Sequence, residues 1–362
     1  MNAKRDHRSA LRSKPVGSVE TTGAQPALSI CIPAYNRPVL VRRALESVIG
    51  GIDADAAFEV VVADDSTDPS VHSAIRDVTR DWTGRFRYAP NTPRLGLAAN
   101  FNRCVELAQG RYVLLLHDDD YLLPGAVSTI LDVIERSTET DRVLLFGVQV
   151  VDESGRVIRR QAAAVERYLR PAEALRRLLD EASFVRFPAI VVRKDAYDEV
   201  GKFDTEVGNP TDFDMWTRLF SRFGIRWIPS QVAAYTVHEA ALTTAMFTAP
   251  TVRTLLTIFD RVEQMHVLSP ALVRRSRADW FHQFILAGTF RRLRLGDRAG
   301  AVSVYQLFDM PEIRAIGRSP RWLPVRAALA GLIHMPAALV LPITRIAAIG
   351  LSRTDHLPMV GQ

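Results

Sequence analysis

The sequence predicts an α/β fold: a mostly parallel sheet flanked by helices, followed by an all-helical C-terminal region. Two observations favour this class. From Ala27 onward, short β-branched runs alternate with amphipathic stretches, which is the pattern of β-α-β units. Beyond Pro250 the strand pattern stops and the chain continues as helical, arginine-rich sequence. We therefore expect a loose tail at 1–26, an α/β domain at 27–250 and a helical region at 251–362.

Apolar, β-branched runs bounded by turn residues predict the strands of the α/β domain. The strongest is 112–116, which follows a helix-ending glycine. The first is expected to stop at Pro33, because proline cannot donate to a sheet ladder. The predicted strands are 28–32, 58–63, 112–116, 143–151, 187–192 and 232–237.

Proline and glycine delimit the predicted helices. Proline fits the first turn of a helix, where its missing N–H has no helical partner, and Pro38, Pro69 and Pro171 each open an amphipathic stretch. Gly110 and Gly224 are placed to end helices. The predicted helices begin at 38, at 69 with Asp68 as N-cap, at 97 (ending at 109), near 124, at 171 (ending near 181) and at 212 (ending at 223).

Composition excludes several classes of protein. The 362 residues are 48% apolar and 24% charged, which is ordinary for a globular chain and argues against disorder or a fibrous repeat. The two cysteines, Cys31 and Cys104, lie inside predicted elements, so neither a disulfide framework nor a cysteine-rich zinc module is expected. Residues 1–26 lack the apolar run of a signal peptide, and a cytoplasmic location is expected.

The positive charge lies outside the α/β domain. Residues 251–362 carry 15 basic and 7 acidic side chains, whereas residues 28–250 carry 26 and 31. Only 4 of the 46 cations are lysines, and we attribute this excess of arginine to a GC-rich genome. No nucleic-acid partner is therefore expected.

Two acidic clusters follow predicted strands. Asp64 and Asp65 come after the second strand. Asp118, Asp119 and Asp120 come after the third. Ligands of open parallel sheets bind beyond the carboxyl ends of the strands, so both clusters should face one site. Adjacent carboxylates repel one another, and Mg²⁺ or Mn²⁺ would compensate them while also binding substrate phosphates. For the first pair alone, an ordinary Asp-rich turn is an equal alternative.

Other motifs that carry chemistry are missing from the sequence. There is no Gly-x-x-x-x-Gly-Lys-Ser/Thr loop, no Gly-x-Gly-x-x-Gly after a predicted strand and no Gly-x-Ser-x-Gly elbow. His238 and Glu239 are not followed by a second histidine at the spacing of a helical zinc protease. The remaining combination is carboxylates, a metal and phosphate.

A third acidic segment opens the helix predicted at 212–223. Asp212 lies in its first turn, where the helix dipole stabilises a carboxylate facing a cleft, which suits a general base. Asp214 stands four residues before Arg218, so an intrahelical ion pair is favoured for it over a catalytic role.

Five segments together resemble glycosyltransferase family 2, the inverting transferases with the nucleotide-diphospho-sugar (GT-A) fold. They occur in the family's order over about residues 28–240. The segments are Ser29–Arg37, Val61–Asp68, Gly96–Asn102, Leu116–Asp120 and Gly201–Trp216. The resemblance implies transfer of a sugar from a nucleotide-diphospho-sugar donor to a sugar or lipid-linked acceptor, in bacterial surface polysaccharide or glycolipid assembly.

The same resemblance implies roles for individual residues. Asp212 matches the catalytic base, and Tyr35 is placed to stack on the base of the nucleotide. The implied nucleotide-sugar-binding residues are Pro33, Ala34, Tyr35, Arg37, Asp64, Asp65, Asn102 and Asp118. The implied metal ligands are Asp119, Asp120 and His238, with Asp119 foremost, although which members of the 118–120 triplet bind the metal stays open.

The sequence also departs from the family pattern. His117 replaces the usual first Asp, Thr211 the usual Glu, Arg94 a common Asn and Cys104 a common Gly. Two other functions are kept as alternatives. A sugar nucleotidyltransferase would need a glycine-rich basic loop where 33–35 stands. A non-catalytic sugar-nucleotide-binding protein would be favoured if the metal or base position had been lost.

The apolar stretch at 327–349 raises the question of membrane contact. His334, Pro336, Pro342 and Arg345 interrupt it, so a spanning helix is not expected. The favoured prediction is a helical pair that packs on the catalytic domain. The alternative is a peripheral segment on the inner face of the cytoplasmic membrane, close to a lipid-linked acceptor.

Overall fold

The computed structural model describes residues 25–50, 52, 56–237 and 246–335. In this part of the chain, ten strands form one sheet and twelve α-helices accompany it. The strands are β1 (Leu28–Ala34), β2 (Phe58–Asp64), β3 (Arg85–Pro90), β4 (Tyr112–Leu115), β5 (Tyr121–Leu122), β6 (Val143–Val151), β7 (Val157–Gln161), β8 (Arg167–Leu169), β9 (Ile190–Arg193) and β10 (Ile225–Thr236). The helices are α1 (Pro38–Ile49), α2 (Pro69–Thr79), α3 (Leu97–Leu107), α4 (Ala126–Glu135), α5 (Pro171–Asp180), α6 (Lys194–Val200), α7 (Thr211–Phe223), α8 (Ala249–Gln264), α9 (Pro270–Arg294), α10 (Arg298–Tyr305), α11 (Pro311–Ile316) and α12 (Leu323–Leu332).

The sheet is mostly parallel, as the sequence predicts. Its strand order is β3-β2-β1-β4-β9-β6-β10-β5, with β7 beside β6 and β8 beside β10. Strands β1 to β4 are mutually parallel, and β9 lies antiparallel between β4 and β6. Strand β10 is parallel to β6, so six of the ten described strands share one direction. The carboxyl ends of β1, β2 and β4 therefore meet at one edge.

Three predicted strand limits were wrong by two or more residues, whereas the other differences are of one residue. Strand β1 continues two residues past its expected end, because its ladder with β4 stops at Cys31 and the nitrogen of Pro33 has no bond to make on that side. Strand β9 begins only at Ile190, since Phe187–Ala189 forms a short 3₁₀-helix. Strand β10 begins at Ile225, earlier than predicted, and register shifts between Trp227 and Ala233 accommodate the proline within it.

Both faces of the sheet are covered. Alternate residues of β1 show this: Ile30 and Ile32 belong to a core shared with α1, α2 and α4, whereas Cys31 belongs to a core on the other face. That second core contains apolar residues of α3, α5 and α7 and continues into α8 and α9. A sheet with two covered faces explains why its central strands are apolar without alternation.

The described C-terminal helices pack on the α/β domain. The ring of Phe213 in α7 lies 6.1 Å from that of Phe259 in α8 and 5.4 Å from that of Trp280 in α9, measured between centroids. None of the helices in the described residues is long and apolar enough to cross a membrane. Residues 336–349 of the apolar stretch lie outside the described part, and the domain limit at 250 stays a prediction.

The start of α7 is held by a buried ion-pair network. Asp214 is 1% exposed and accepts hydrogen bonds from Nε and Nη2 of Arg218, at 3.0 and 2.8 Å. Arg261 of α8 donates to the other carboxylate oxygen from 3.0 Å. The predicted intrahelical pair is therefore confirmed, and it also joins α7 to the C-terminal helices.

Candidate active site

The loops that follow β1, β2 and β4 contact one another at the carboxyl edge of the sheet. The backbone N–H of Tyr35 donates to Asp118 Oδ2 at 3.3 Å, and the N–H of Asn36 donates to Ser66 Oγ at 2.8 Å. The expectation that the acidic loops share one edge is therefore confirmed.

Arg37 lies over the acidic triplet. Its Nε donates to Asp118 Oδ2 at 3.2 Å, its Nη2 also bonds Asp118, and its Nη1 donates to Asp119 Oδ2 at 2.8 Å. Burial raises the pKa of Asp118 to about 6, and Arg37 partly offsets that rise. The Arg37 side chain is 42% exposed, so it is paired with the triplet and still accessible to solvent.

Asp64 and Asp65 are buried and hold the loops around them. Asp64 accepts from the N–H of Ser66 at 2.9 Å and from the Tyr88 hydroxyl at 2.7 Å. Asp65 accepts from the N–H groups of Leu95 and Gly96, at 2.7 and 2.9 Å, just before α3. These contacts match the alternative that Asp64 and Asp65 form an ordinary Asp-rich turn. Binding of the nucleotide's base or ribose by either carboxylate stays a prediction.

Of the other predicted nucleotide-binding residues, one has an exposed ring, two are buried in a strand and one is hydrogen bonded to the backbone. Tyr35 is 39% exposed, and the guanidinium carbon of Arg94 lies 4.1 Å from its ring centroid. Pro33 and Ala34 are buried within β1. The amide of Asn102 donates to the Phe203 carbonyl at 2.9 Å and accepts from its N–H at 2.8 Å, so it ties α3 to the loop before α7.

His117, Asp119 and Asp120 form a group that could hold a metal ion. One ligand atom of each lies within 4.8 Å of the other two. Burial lowers the pKa of His117 to about 4, which keeps the imidazole in its neutral, ligating form. Asp120 Oδ1 accepts from the N–H of Thr236 at 2.8 Å, while its buried Oδ2 has no hydrogen-bond partner among the described residues. A buried carboxylate oxygen of this kind fits a bound cation.

This group differs from the predicted ligand set. Asp119 and Asp120 were expected in it, and His238, the third expected ligand, lies outside the described residues. His117 was treated only as a departure from the family pattern. The sequence did carry a signal for it. His117 replaces the Asp that is usual at this position, and imidazole, like a carboxylate, is a common metal ligand.

Asp212 lies in the first turn of α7, as predicted, and is partly exposed. Its Oδ1 accepts from the N–H of Phe213 at 2.6 Å. Burial raises the pKa of Asp212 to about 7. The backbone N–H groups of Phe213 and of Asp212 itself, and the positive charge of Arg186, act in the opposite direction because they favour the ionised form. The side chain lines a small pocket between α7 and α9, together with Arg186, Phe213, Trp216, Trp280 and Phe284.

Tyr235 connects this pocket with the acidic triplet. Burial raises the pKa of its hydroxyl to about 12, and the negative charges of Asp120, Asp119 and Asp212 all contribute to the rise. The guanidinium carbon of Arg186 lies 4.5 Å from its ring centroid. Since Arg186 lines the pocket with Asp212 and the N–H of Thr236, next to Tyr235, donates to Asp120, the pocket adjoins the triplet. Sequence reasoning missed both Tyr235 and Arg186.

Comparison with known proteins yields a family match. Residues 29–201 match the family model described as glycosyl transferase family 2. An uncharacterized protein of Mycobacterium tuberculosis is 29% identical over 276 residues, which are 73% of this chain and 83% of the relative. The GalNAc(5)-diNAcBac-PP-undecaprenol beta-1,3-glucosyltransferase of Campylobacter jejuni is 34% identical over 107 residues, which are 29% of this chain and 34% of the relative.

Solved structures share the fold. TarS 1–349 of S. aureus, in complex with UDP-GlcNAc, has a TM-score of 0.55 at 17% identity and covers 90% of this chain and 89% of its own. The mannosyltransferase PcManGT of Pyrobaculum calidifontis, in complex with GDP-Man and Mn²⁺, has a TM-score of 0.51 at 16% identity. The match covers 92% of this chain and 88% of the mannosyltransferase. These likenesses confirm the predicted fold class.

Proposed function

Since the chain belongs to glycosyltransferase family 2, we propose that it transfers a sugar, with inversion, from a nucleotide-diphospho-sugar to an acceptor hydroxyl with the help of a divalent metal. The observation that carries this proposal is that the Asp212 pocket adjoins the acidic triplet. Arg186, which lines that pocket, lies 4.5 Å from the ring of Tyr235, and the N–H of the next residue, Thr236, donates to Asp120. The alternative of a non-catalytic binder is disfavoured because both the base and the metal-binding positions are present.

Asp212 is the proposed general base. It removes the proton of the acceptor hydroxyl while that oxygen bonds to the anomeric carbon of the sugar. On the opposite face, the bond from that carbon to the diphosphate oxygen breaks, and the nucleoside diphosphate leaves with the bonding electrons. A carboxylate with a pKa near 7 suits this task, because it is a stronger base than an ordinary aspartate and about half of it is still ionised at pH 7.

His117, Asp119 and Asp120 would hold the metal, Mn²⁺ or Mg²⁺. A bound divalent ion would supply positive charge that stabilises the leaving diphosphate. Carboxylate ligands suit both ions, and the structural neighbour PcManGT was solved with Mn²⁺. Arg37, bonded to Asp118 and Asp119 and still accessible to solvent, would place a second cation beside the same diphosphate.

We expect a panel of nucleoside diphosphates to reveal the donor. UDP, dTDP and GDP would each be added with Mn²⁺, with Mg²⁺ or with EDTA, and the melting temperature of the protein followed. One nucleotide should raise it in the presence of metal only, because a ligand at 100 times its Kd stabilises the folded state by about 2.7 kcal/mol. A panel without any metal-dependent rise would contradict the proposal.

The rate of transfer should fall in acid with a midpoint near pH 7. Asp212 must be ionised to accept a proton, and its pKa is raised to about 7, so the fraction of competent enzyme falls about tenfold per pH unit below that value. The measurement is kcat at saturating donor and metal between about pH 5 and 8. A rate that stays constant across this interval would be incompatible with Asp212 as the base.

We further propose that the acceptor is a sugar or lipid-linked sugar met in the cytoplasm, at the inner face of the membrane. The Campylobacter jejuni relative carries undecaprenol in its printed name. In this chain, the helix α12 exposes Leu323 (40%) and Val325 (36%), close in sequence to Arg321. Exposed apolar side chains beside basic ones suit the surface of an anionic bilayer.

Sedimentation with phosphatidylglycerol liposomes at low salt tests this contact. The wild type should sediment with the liposomes, and the double variant Leu323→Gln/Val325→Gln should do so less, because its apolar contact is lost. Ile158→Gln on β7, which removes an equally exposed apolar side chain elsewhere, is the control. Failure of the wild type to sediment, or equal sedimentation of the double variant, would contradict membrane contact.

A further inference from the structure

Arg186 is a buried cation that has no ion pair or hydrogen bond from its side chain among the described residues. The residue is 4% exposed, it lines the pocket beside Asp212, and its Nε is buried without a hydrogen-bond partner. In the part of the chain that the structure describes, its guanidinium makes no ion pair, and its guanidinium carbon lies 4.5 Å from the centroid of the Tyr235 ring. Arginine cannot discharge itself by losing a proton, so the charge remains in the pocket.

Two other arginines with little solvent exposure, the buried Arg193 and the partly buried Arg218, are paired with carboxylates. Arg193, 7% exposed, donates to Asp195 at 2.8 Å and also to Glu139. Arg218 bonds Asp214, as described above. A buried charge without such a partner is unfavourable. Since no such partner lies among the described residues, we infer that a ligand pairs with Arg186, and a buried cation favours an anion.

Acidic groups of the chain lie near Arg186 without bonding it. Asp120 and Glu181 attract its charge and Arg159 repels it, but none of them is hydrogen bonded to it. Asp120 belongs to the proposed metal group. The guanidinium thus keeps its donors available, and its planar fork suits the two oxygens of a phosphate or carboxylate.

The rest of the pocket suits the acceptor rather than the donor diphosphate. Asp212 is the proposed base for the acceptor hydroxyl, and Trp280 and Phe284 of α9 supply aromatic walls. The diphosphate has its own cations, the metal and Arg37, on the acidic triplet. Arg186 would therefore contact the acceptor, close to the acceptor hydroxyl that Asp212 deprotonates.

We propose that Arg186 binds an oxyanion of the acceptor, a phosphate or carboxylate group close to the hydroxyl that Asp212 deprotonates. The inference rests on the proposed function and adds the acceptor class: a sugar that carries a phosphate or an acidic substituent. Arg186 then determines specificity, because a neutral acceptor would leave its charge buried and unpaired.

Two matched pairs of probes test this charge preference. Phenyl β-D-glucuronide is compared with phenyl β-D-glucoside, and phenyl phosphate with benzyl alcohol, by NMR titration with Mn²⁺ and the donor's nucleoside diphosphate present at saturation. That nucleotide is UDP unless the melting panel identifies another. The wild type should bind the anionic member of at least one pair about tenfold more tightly, a difference of about 1.4 kcal/mol. Arg186→Met should abolish this preference, Arg186→Lys should keep part of it, and Arg160→Met, which removes an exposed arginine of β7, should keep all of it.

Two further measurements distinguish acceptor binding by Arg186 from a purely structural role and from binding of the nucleotide's diphosphate. Arg186→Met should melt at the same temperature as the wild type or higher, because it removes an unpaired buried charge, whereas a purely structural arginine would lower it. The affinity for UDP with Mn²⁺ should not change. Absence of any charge preference in the wild type, an unchanged preference in Arg186→Met, or displacement of phenyl phosphate by UDP would overturn the proposal. The proposed function is tested separately, by nucleotide binding and by the Asp212 variant.

Discussion

Asp212→Asn is expected to lower kcat by about 10²- to 10⁴-fold while the affinity for the nucleotide-sugar stays unchanged. The amide keeps the size of the carboxylate and its hydrogen bond from the N–H of Phe213, but it cannot accept the acceptor's proton. Since the side chain lies at the helix start, on the pocket and not within the acidic triplet, donor and metal binding should not depend on its charge.

Donor binding and turnover would be measured on the same preparation, by calorimetry and by release of the nucleoside diphosphate. Glu206→Gln is the matched control, because it neutralises an exposed carboxylate in the loop that precedes α7. It should leave both quantities unchanged. Full activity of Asp212→Asn would show that another group is the base.

Asp119→Asn is expected to weaken Mn²⁺-dependent binding of the nucleoside diphosphate by about 100-fold. Its carboxylate supplies one of the three candidate ligand atoms, and an amide oxygen carries no charge to balance the ion. The isosteric change is chosen because Arg37 also bonds this carboxylate, and a truncation would disturb Arg37 more.

Calorimetric titration of the nucleotide with Mn²⁺ and with EDTA measures this effect. Asp132→Asn, in an exposed position of α4, neutralises a carboxylate away from the site and should behave as the wild type. Loss of affinity in Asp119→Asn should disappear when EDTA is present. Equal Mn²⁺ dependence in variant and wild type would exclude Asp119 as a ligand.

Residues whose position follows from one strand or one helix could be predicted. Asp119 and Asp120 follow within four residues of the apolar run 112–116, and the ends of parallel strands share an edge. Asp212 stands at the first turn of a helix with a clear apolar face and a terminating glycine. In each case the local pattern determines where the side chain lies, so sequence reasoning sufficed.

Residues whose role depends on distant contacts could not be predicted in this way. The amide of Asn102 bonds the backbone of Phe203, 101 positions away, and no local pattern reveals that pairing. Arg186 lies between two short 3₁₀-helices, Ala182–Phe184 and Phe187–Ala189, and only the packing of α9 shows that its charge is enclosed. The short or edge strands β3, β5, β7 and β8 were missed for a related reason: they bury too little to show a periodic apolar pattern.

The most direct test of the central claim is the anomeric configuration of the product. A single base, Asp212, that activates the hydroxyl on the face opposite the leaving diphosphate allows one displacement at the anomeric carbon. With an α-linked donor chosen from the nucleotide panel, ¹H NMR of the first product should therefore show a β-linkage. An α-linked product would require two displacements or a different mechanism, and would contradict the role given to Asp212.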